Sequence, residues 1–348
     1  MTDSQENKST YDDLDESMWG SKVFRTGLLI LLIIIIVFFS FLGWYWSREP
    51  DIKPVKAGTF MSEKYLGNTW VTGQATTAAL MHCANTLLDK PGGYLTNDKT
   101  PPSLFLDNMP NWEFGVLVQI RDLARSMRND MSRSRSQSKE NAHLAEAEPL
   151  FNFKNDSWLF PPTESQYRKA NKHLEMYFHE LGTSEQMGSQ FFARADNLRE
   201  WLTVVEKRLG DLSQRLSASV ARTRINTDLA GDATAEQSTQ TPKYVQVKTP
   251  WLEIDDVFYE SRGATWALIH FFKAIEIDFQ KSLEKKSAIP LVQQIIRELE
   301  GSQRPLGWPV VLNGGGFGLF ANHSLVMASY ISRANAAVID LRELLQDG

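Results

Sequence analysis

Residues 191–216, FFARADNLREWLTVVEKRLGDLSQRL, set apolar side chains at Phe191, Ala195, Leu198, Leu202, Val205, Leu209, Leu212 and Leu216. The gaps alternate four and three residues without a miss, which is a heptad seam rather than a broad amphipathic face. Trp201, Val204 and Phe192 widen it locally. Such a stripe has to be covered, either by a second copy in a coiled coil or by another helix of the same chain. Long helical patterns beginning near Asn111, Glu253 and Asn322 each carry an apolar stripe of their own, so the expectation is a cover from within and a monomeric soluble domain.

Working outward from this seam, apolar periodicity predicts helices over residues 66–90, 111–148, 163–181, 253–286, 287–299 and 322–345. The first stops at Pro91-Gly92-Gly93, because proline cannot continue the hydrogen-bond ladder and glycine takes the cap conformation. In the second, an apolar first half gives way to an almost wholly polar run of alternating Arg and Ser after Met131, which reads as a solvated face, and a break follows at Pro149, Pro161 and Pro162. Thr163-Glu-Ser-Gln166 supplies cap chemistry for the next helix, and residues 244–247 read as one short strand. The class is all-α, so a sheet-based active site is not available.

The other decisive stretch is residues 27–46, GLLILLIIIIVFFSFLGWYW, which carries no charge. A hydrocarbon core of roughly 30 Å needs about 20 residues of helix, so this segment is long enough to span a bilayer. Trp44, Tyr45 and Trp46 form an aromatic belt at one boundary. The run is longer than the apolar core of a cleaved signal peptide and ends in Ser-Arg-Glu-Pro rather than in small residues, so it is expected to stay attached. Lys22 and Arg25 precede it, and Arg48, Lys53 and Lys56 follow it. The basic count leans slightly against a cytoplasmic N-terminus, but large following domains translocate regardless of charge. The expected organisation is a polar acidic tail (1–26), an anchor (27–46), a Pro-containing linker (47–64) and an α-helical domain (65–348) with a mobile Thr/Gln/Ala-rich excursion at 230–249. The expected location is a bacterial inner membrane, with the C-terminal domain in the periplasm.

Composition narrows the function classes. Hydrophobic residues make up 42% and charged residues 23% of the 348, and the net charge of −5 comes with no basic face, which argues against nucleic acid. The single cysteine, Cys83, rules out an internal disulfide and any zinc site with two thiolates, and its apolar helical setting reads as a buried, inert thiol. Glu175 and His179 are four apart but form only one such pair, so no metal and no cofactor are expected. Gly314, Gly315, Gly316 and Gly318 lack the lysine of a P-loop and the spacing of a dinucleotide fold. They read as a tight turn before a helix capped by Asn322. His270, inside Trp266-Ala-Leu-Ile-His-Phe-Phe, reads as a hydrogen-bonded core histidine, and His323 as part of the cap.

Between the first two domain helices lies a loop, residues 91–115, that is rich in proline, glycine and aromatic residues and is expected to be ordered. Its carboxylates belong to the one set nominated to flank a glycan. Tyr94, Asp98, Asp107, Trp112 and Glu113, with Glu260 and Arg262, form the candidate binding surface, because glycoside cleavage needs two carboxylates and aromatic rings stack on sugars.

PGGYLTNDKTPPSLFLDNMPNWEFGVLVQIRDLARSM (91–127), YESRGATWALIH (259–270) and ANHSLVMASYISRAN (321–335) resemble a proteobacterial family designated domain of unknown function 2333. The resemblance covers nearly the whole chain from the anchor onward. It implies a single-pass, membrane-anchored helical protein of Gram-negative bacteria with no assigned activity, so no catalytic residue is carried over. The expected function is binding or scaffolding in the cell envelope, of a protein or of a glycan partner. The alternative is a peptidoglycan-binding or glycan-cleaving module built on the 91–115 loop.

Overall fold

The computed structural model describes residues 3–55, 71–133, 140–182, 189–225, 244–306, 310–313 and 321–346. Residues 56–64 of the linker, most of the Arg/Ser run, residues 230–243 of the excursion and the glycine run at 314–318 lie outside the described residues. The chain forms two compact units, Met1–Arg48 with Lys99–Leu106, and Glu49–Asp98 with Asp107–Gly348.

The first unit is a single long helix, α1 (Asp3–Trp46), with one short loop. The polar tail is continuous in backbone with the apolar segment. From Lys22 to Trp46 the helix is long and apolar enough to cross a membrane, and its side chains are almost all uncovered by protein. In the loop, Ser103–Phe105 makes one 3-10 turn.

The second unit is helical: α2 (Gln74–Asp89), α3 (Asn108–Ser126), α4 (Ala142–Phe151), α5 (Thr163–Gly182), α6 (Ala195–Ser217), α7 (Ile254–Asp278), α8 (Gln280–Lys285), α9 (Ile289–Ser302) and α10 (His323–Gln346). One hairpin interrupts it, β1 (Arg222–Ile225) paired antiparallel with β2 (Tyr244–Val247), Arg222 opposite Val247. The strand expected at 244–247 is there, and its partner at 222–225 had no counterpart among the expected elements.

The heptad seam is covered within the chain. Leu198, Leu202, Val205, Leu209, Leu212 and Leu216 are buried, and α6 lies along α10, whose buried face includes Ile331, Ala334, Val338 and Leu341. The pair runs antiparallel: Ser213 meets Ser332 at 2.5 Å, and seven residues earlier Glu206 meets Arg342 at 3.1 Å. The helix begins at Ala195, so Phe191 precedes it and packs edge-to-face on Phe279 instead.

The closest helix pair is α3 on α7. A Cβ placed on Gly115 would lie 2.0 Å from the Glu260 carbonyl oxygen, and one on Gly263 would lie 2.0 Å from that of Trp112. Only hydrogen at both positions lets the two backbones touch. Trp112 and Trp266 pack at a tilt beside this crossing with centroids 5.2 Å apart.

Several expected boundaries differ. The helix expected over 111–148 is two: α3 ends in a π turn, Met127–Met131, and a new start is capped by Asn141, whose side chain accepts from the His143 and Leu144 N–H groups at 2.9 and 3.1 Å. Pro149 lies inside α4, which ends within a turn of it, so only one ladder bond is forfeited. The helix expected over 253–286 divides at Phe279, a fully buried ring whose backbone leaves the helical region. The first domain helix starts at Gln74, where Asp278 from the end of α7 accepts from Gly73 N (2.8 Å), Thr76 N (2.7 Å) and Thr76 Oγ1 (2.7 Å). A carboxylate distant in sequence thus satisfies the donors that a local cap would serve.

Candidate functional site

Of the seven residues nominated from the sequence, four are buried: Tyr94, Trp112, Glu113 and Arg262. Glu113 is fully buried, accepts from the Leu95 and Thr96 N–H groups at 2.8 Å each, and pairs with the Lys90 ammonium, which also holds the Gly93 carbonyl. A buried carboxylate is tolerated when such donors surround it, and here it ties the loop to α3. Trp112 is enclosed at the α3–α7 crossing. Tyr94 is buried near Glu113, edge-to-face on Tyr167, and burial pushes its hydroxyl far above the ordinary tyrosine range. Asp98 is half-buried on the loop. Asp107 is exposed and caps α3 through Asn108 N at 2.8 Å. Glu260 forms a two-pronged pair with Arg215 at 2.6 and 2.8 Å. The structure brings Tyr94 and Glu113 into one buried node. It engages Asp107, Glu260 and Arg262 separately.

Arg262 leads to a feature the sequence reading did not anticipate. Its guanidinium is buried in α7 and grips Glu49, with Nε 2.6 Å from Oε1 and 2.9 Å from Oε2, while Nη1 donates to the Arg304 carbonyl at 3.0 Å. Two turns on, the backbone N–H of Lys53 donates to His270 Nε2 at 3.2 Å, and His270 Nδ1 lies 2.8 Å from the Trp266 carbonyl. A carbonyl only accepts, so Nδ1 carries the proton and Nε2 offers its lone pair to Lys53. That tautomer is neutral. Burial holds His270 down at about 4, and burial together with His270 holds the adjacent His82 at about 3. The rings of His82, His270 and Trp266 pack into one tilted cluster, with the His270 and Trp266 centroids 4.4 Å apart. The chain just after the anchor segment is therefore seated on α7 by one ion pair and one histidine. An arginine on the apolar face of a helix is the signal that could have found it, since such a charge demands a partner.

One open feature of the second unit is a cleft of about 560 Å³ between the end of α6, the hairpin and the start of α7. Its base is closed by Thr249 N donating to the Ala218 carbonyl at 2.9 Å. Arg215 is held by Glu260, and Asp211 lies 3.7 Å from it, while Arg222, Lys248 and Glu253 also line the cleft. Next to it Trp251 and Leu252 stand 79% and 76% exposed, with Ile225 and Tyr244 of the hairpin also bare. Apolar side chains beside a mixed-charge cleft suit the burial of a partner's surface. The lining holds neither histidine nor cysteine, and among the described residues no three His, Cys, Asp or Glu side chains are placed to hold a metal ion. Nearby Asp256, which accepts from Asn111 at 2.7 Å, is pushed up to about 6 by burial and by Asp255 and Asp107. Cys83 is buried, and burial raises its thiol well above the ordinary range.

The family described as "Uncharacterized protein conserved in bacteria (DUF2333)" matches residues 17–348. No curated protein and no solved structure is detectably similar.

Proposed function

This chain belongs to the bacterial family DUF2333, and from that premise we propose that it is a single-pass membrane protein whose helical domain works by binding a partner in the cell envelope, without catalysis. The observation that carries the reading is α1: a run from Lys22 to Trp46 with its apolar side chains bare, which water would not tolerate and a bilayer would cover. Arg48 lies 4.3 Å over the Trp44 ring, an amphipathic pairing suited to the headgroup level. The helix sits in the inner membrane and the domain in the periplasm.

The domain is a monomer, a reading supported by the cover that α10 provides for the α6 seam. The partner docks at the α6–hairpin–α7 cleft, with Trp251 and Leu252 as apolar anchors. Photo-crosslinkers placed in the full-length protein at Trp251 and at Arg222 are expected to capture one partner in living cells, while one at Lys286 captures none. Equal capture from all three positions would sink the cleft as the binding face. Pelleting of the protein with purified peptidoglycan would instead favour the glycan alternative. Resistance to alkaline extraction, with a periplasm-active reporter fused after Gln346, tests anchoring and sidedness.

A further inference from the structure

In the first unit, α1 has one covered point in the last turns of its apolar stretch. Gly43 is buried, although Phe41, Trp44 and Tyr45 around it are exposed. A Cβ built there would meet Pro102 Cβ and Leu106 Cδ2 at 3.7 Å each, so the loop at residues 99–106 rests on the helix at that position. Gly43 lies three residues before Trp46, about 4.5 Å along the axis, which is the level of the aromatic belt. The loop is folded: Phe105 N donates to the Pro102 carbonyl and Leu106 N to that of Ser103, both at 2.9 Å. This turn directs Pro102 and Leu106 onto the helix and leaves Leu104 and Phe105 at the tip, 58% and 77% exposed. Two large apolar side chains on a constrained turn, continuous with a bare apolar helix, need the same cover as the helix.

We propose that this loop is a second membrane contact, with Leu104 and Phe105 seated in the interfacial layer of the bilayer beside Trp44 and Tyr45. The inference rests on reading α1 as a membrane span. Lys99 is exposed at the loop's start, where its ammonium reaches lipid phosphates while its stem lies along apolar surface.

Full-length protein carrying an environment-sensitive thiol label at Phe105→Cys, or at Ile34→Cys in mid-span, is reconstituted in vesicles of phosphatidylcholine and phosphatidylglycerol. Cys83 is buried and does not compete for the label. Spin-labelled lipids with the quencher shallow or deep in the acyl chain then read depth. The label at 105 is expected to lose roughly half its emission to the shallow quencher and clearly less to the deep one, and the label at 34 the reverse. Quenching at 34 with none at 105 overturns the loop contact and leaves the anchor standing. Protection of the 105 label from aqueous iodide without lipid quenching also overturns it, since protein then covers the tip. Absence of lipid quenching at both positions overturns the anchor reading and this inference with it. As a second variant, Leu104→Ser with Phe105→Ser, labelled at Thr100→Cys, is expected to lose the shallow quenching that the Thr100→Cys single variant gives. Unchanged quenching overturns the roles of the two side chains.

Discussion

Two helical stretches of equal length, Lys22–Trp46 and Ile254–Asp278, each 25 residues, solve opposite problems. The first has no charge from Gly27 to Trp46 and almost no protein cover. The second, α7, has most of its residues buried, yet it carries Glu260, Arg262, His270, Lys273 and Asp278. Each of these meets a partner from elsewhere in the fold: Arg215, Glu49, Lys53, Glu300 and the start of α2. Protein can supply a specific donor or acceptor to a buried charge, whereas lipid cannot, so composition rather than length tells which environment a helix is built for.

The largest effect is expected at the α3–α7 crossing. Gly263→Ala puts a methyl 2.0 Å from the Trp112 carbonyl oxygen, and the helices must separate. A loss of about 3 kcal/mol or more is expected in denaturant unfolding of the detergent-solubilised protein, and an unchanged midpoint would show that the two backbones do not touch. Next in size is the seam. Leu202→Ala and Leu209→Ala should each cost about 2–5 kcal/mol with no change in sedimentation, and dissociation of a dimer without unfolding would reverse the monomeric reading.

Glu49→Ala leaves the Arg262 guanidinium buried without its carboxylate, and a loss of about 3 kcal/mol is expected. Replacing both, Glu49→Ala with Arg262→Met, should recover most of it. A double variant no better than the single one would mean that Arg262 matters through its carbonyl contacts.

Acid should act on α7 as well. His270 and His82 have folded values near 4 and 3 against 6.5 unfolded, so their contribution is complete above 6.5 and is lost as pH falls through that window. Asp278 and Asp256, both pushed up to about 6, act with the opposite sign, so the histidine effect is read as a difference. Between pH 7 and 4.5, His270→Gln should lose on the order of 2 kcal/mol less than the wild type, and equal slopes would refute the neutral-acceptor role. The smallest effect is expected in the other helix: Ile34→Ser should leave domain unfolding unchanged, because no protein packs on that side chain.

What was legible in the sequence was what is encoded locally. The seam of α6 follows from six spaced residues between Leu198 and Leu216, and the Asn322 cap, 3.0 Å from Leu325 N, follows from three. What escaped depends on residues far apart. Nothing around Gly115 announces that Glu260 will press on it, and nothing near Gly73 points to Asp278. The nominated site shows the same divide. Glu113 and Trp112 have the chemistry of a glycan site, but buried backbone N–H groups in an ordered loop also need acceptors, and here they take the carboxylate. The aromatic-rich loop is likewise shared between the two units, which no local pattern marks.

The seat of Glu49 and Lys53 on α7 bears on how the protein can be handled at the bench. A soluble fragment is most naturally cut within the proline-containing stretch, after Pro50 or Pro54, where a linker would be dispensable. Either cut removes Glu49, and the later one removes Lys53 too, so either fragment takes the carboxylate from a buried guanidinium, and the later one also takes a backbone donor from His270, on the helix that organises the core. A fragment beginning at Arg48 keeps both, and the domain's functional N-terminus therefore lies within two residues of the end of α1.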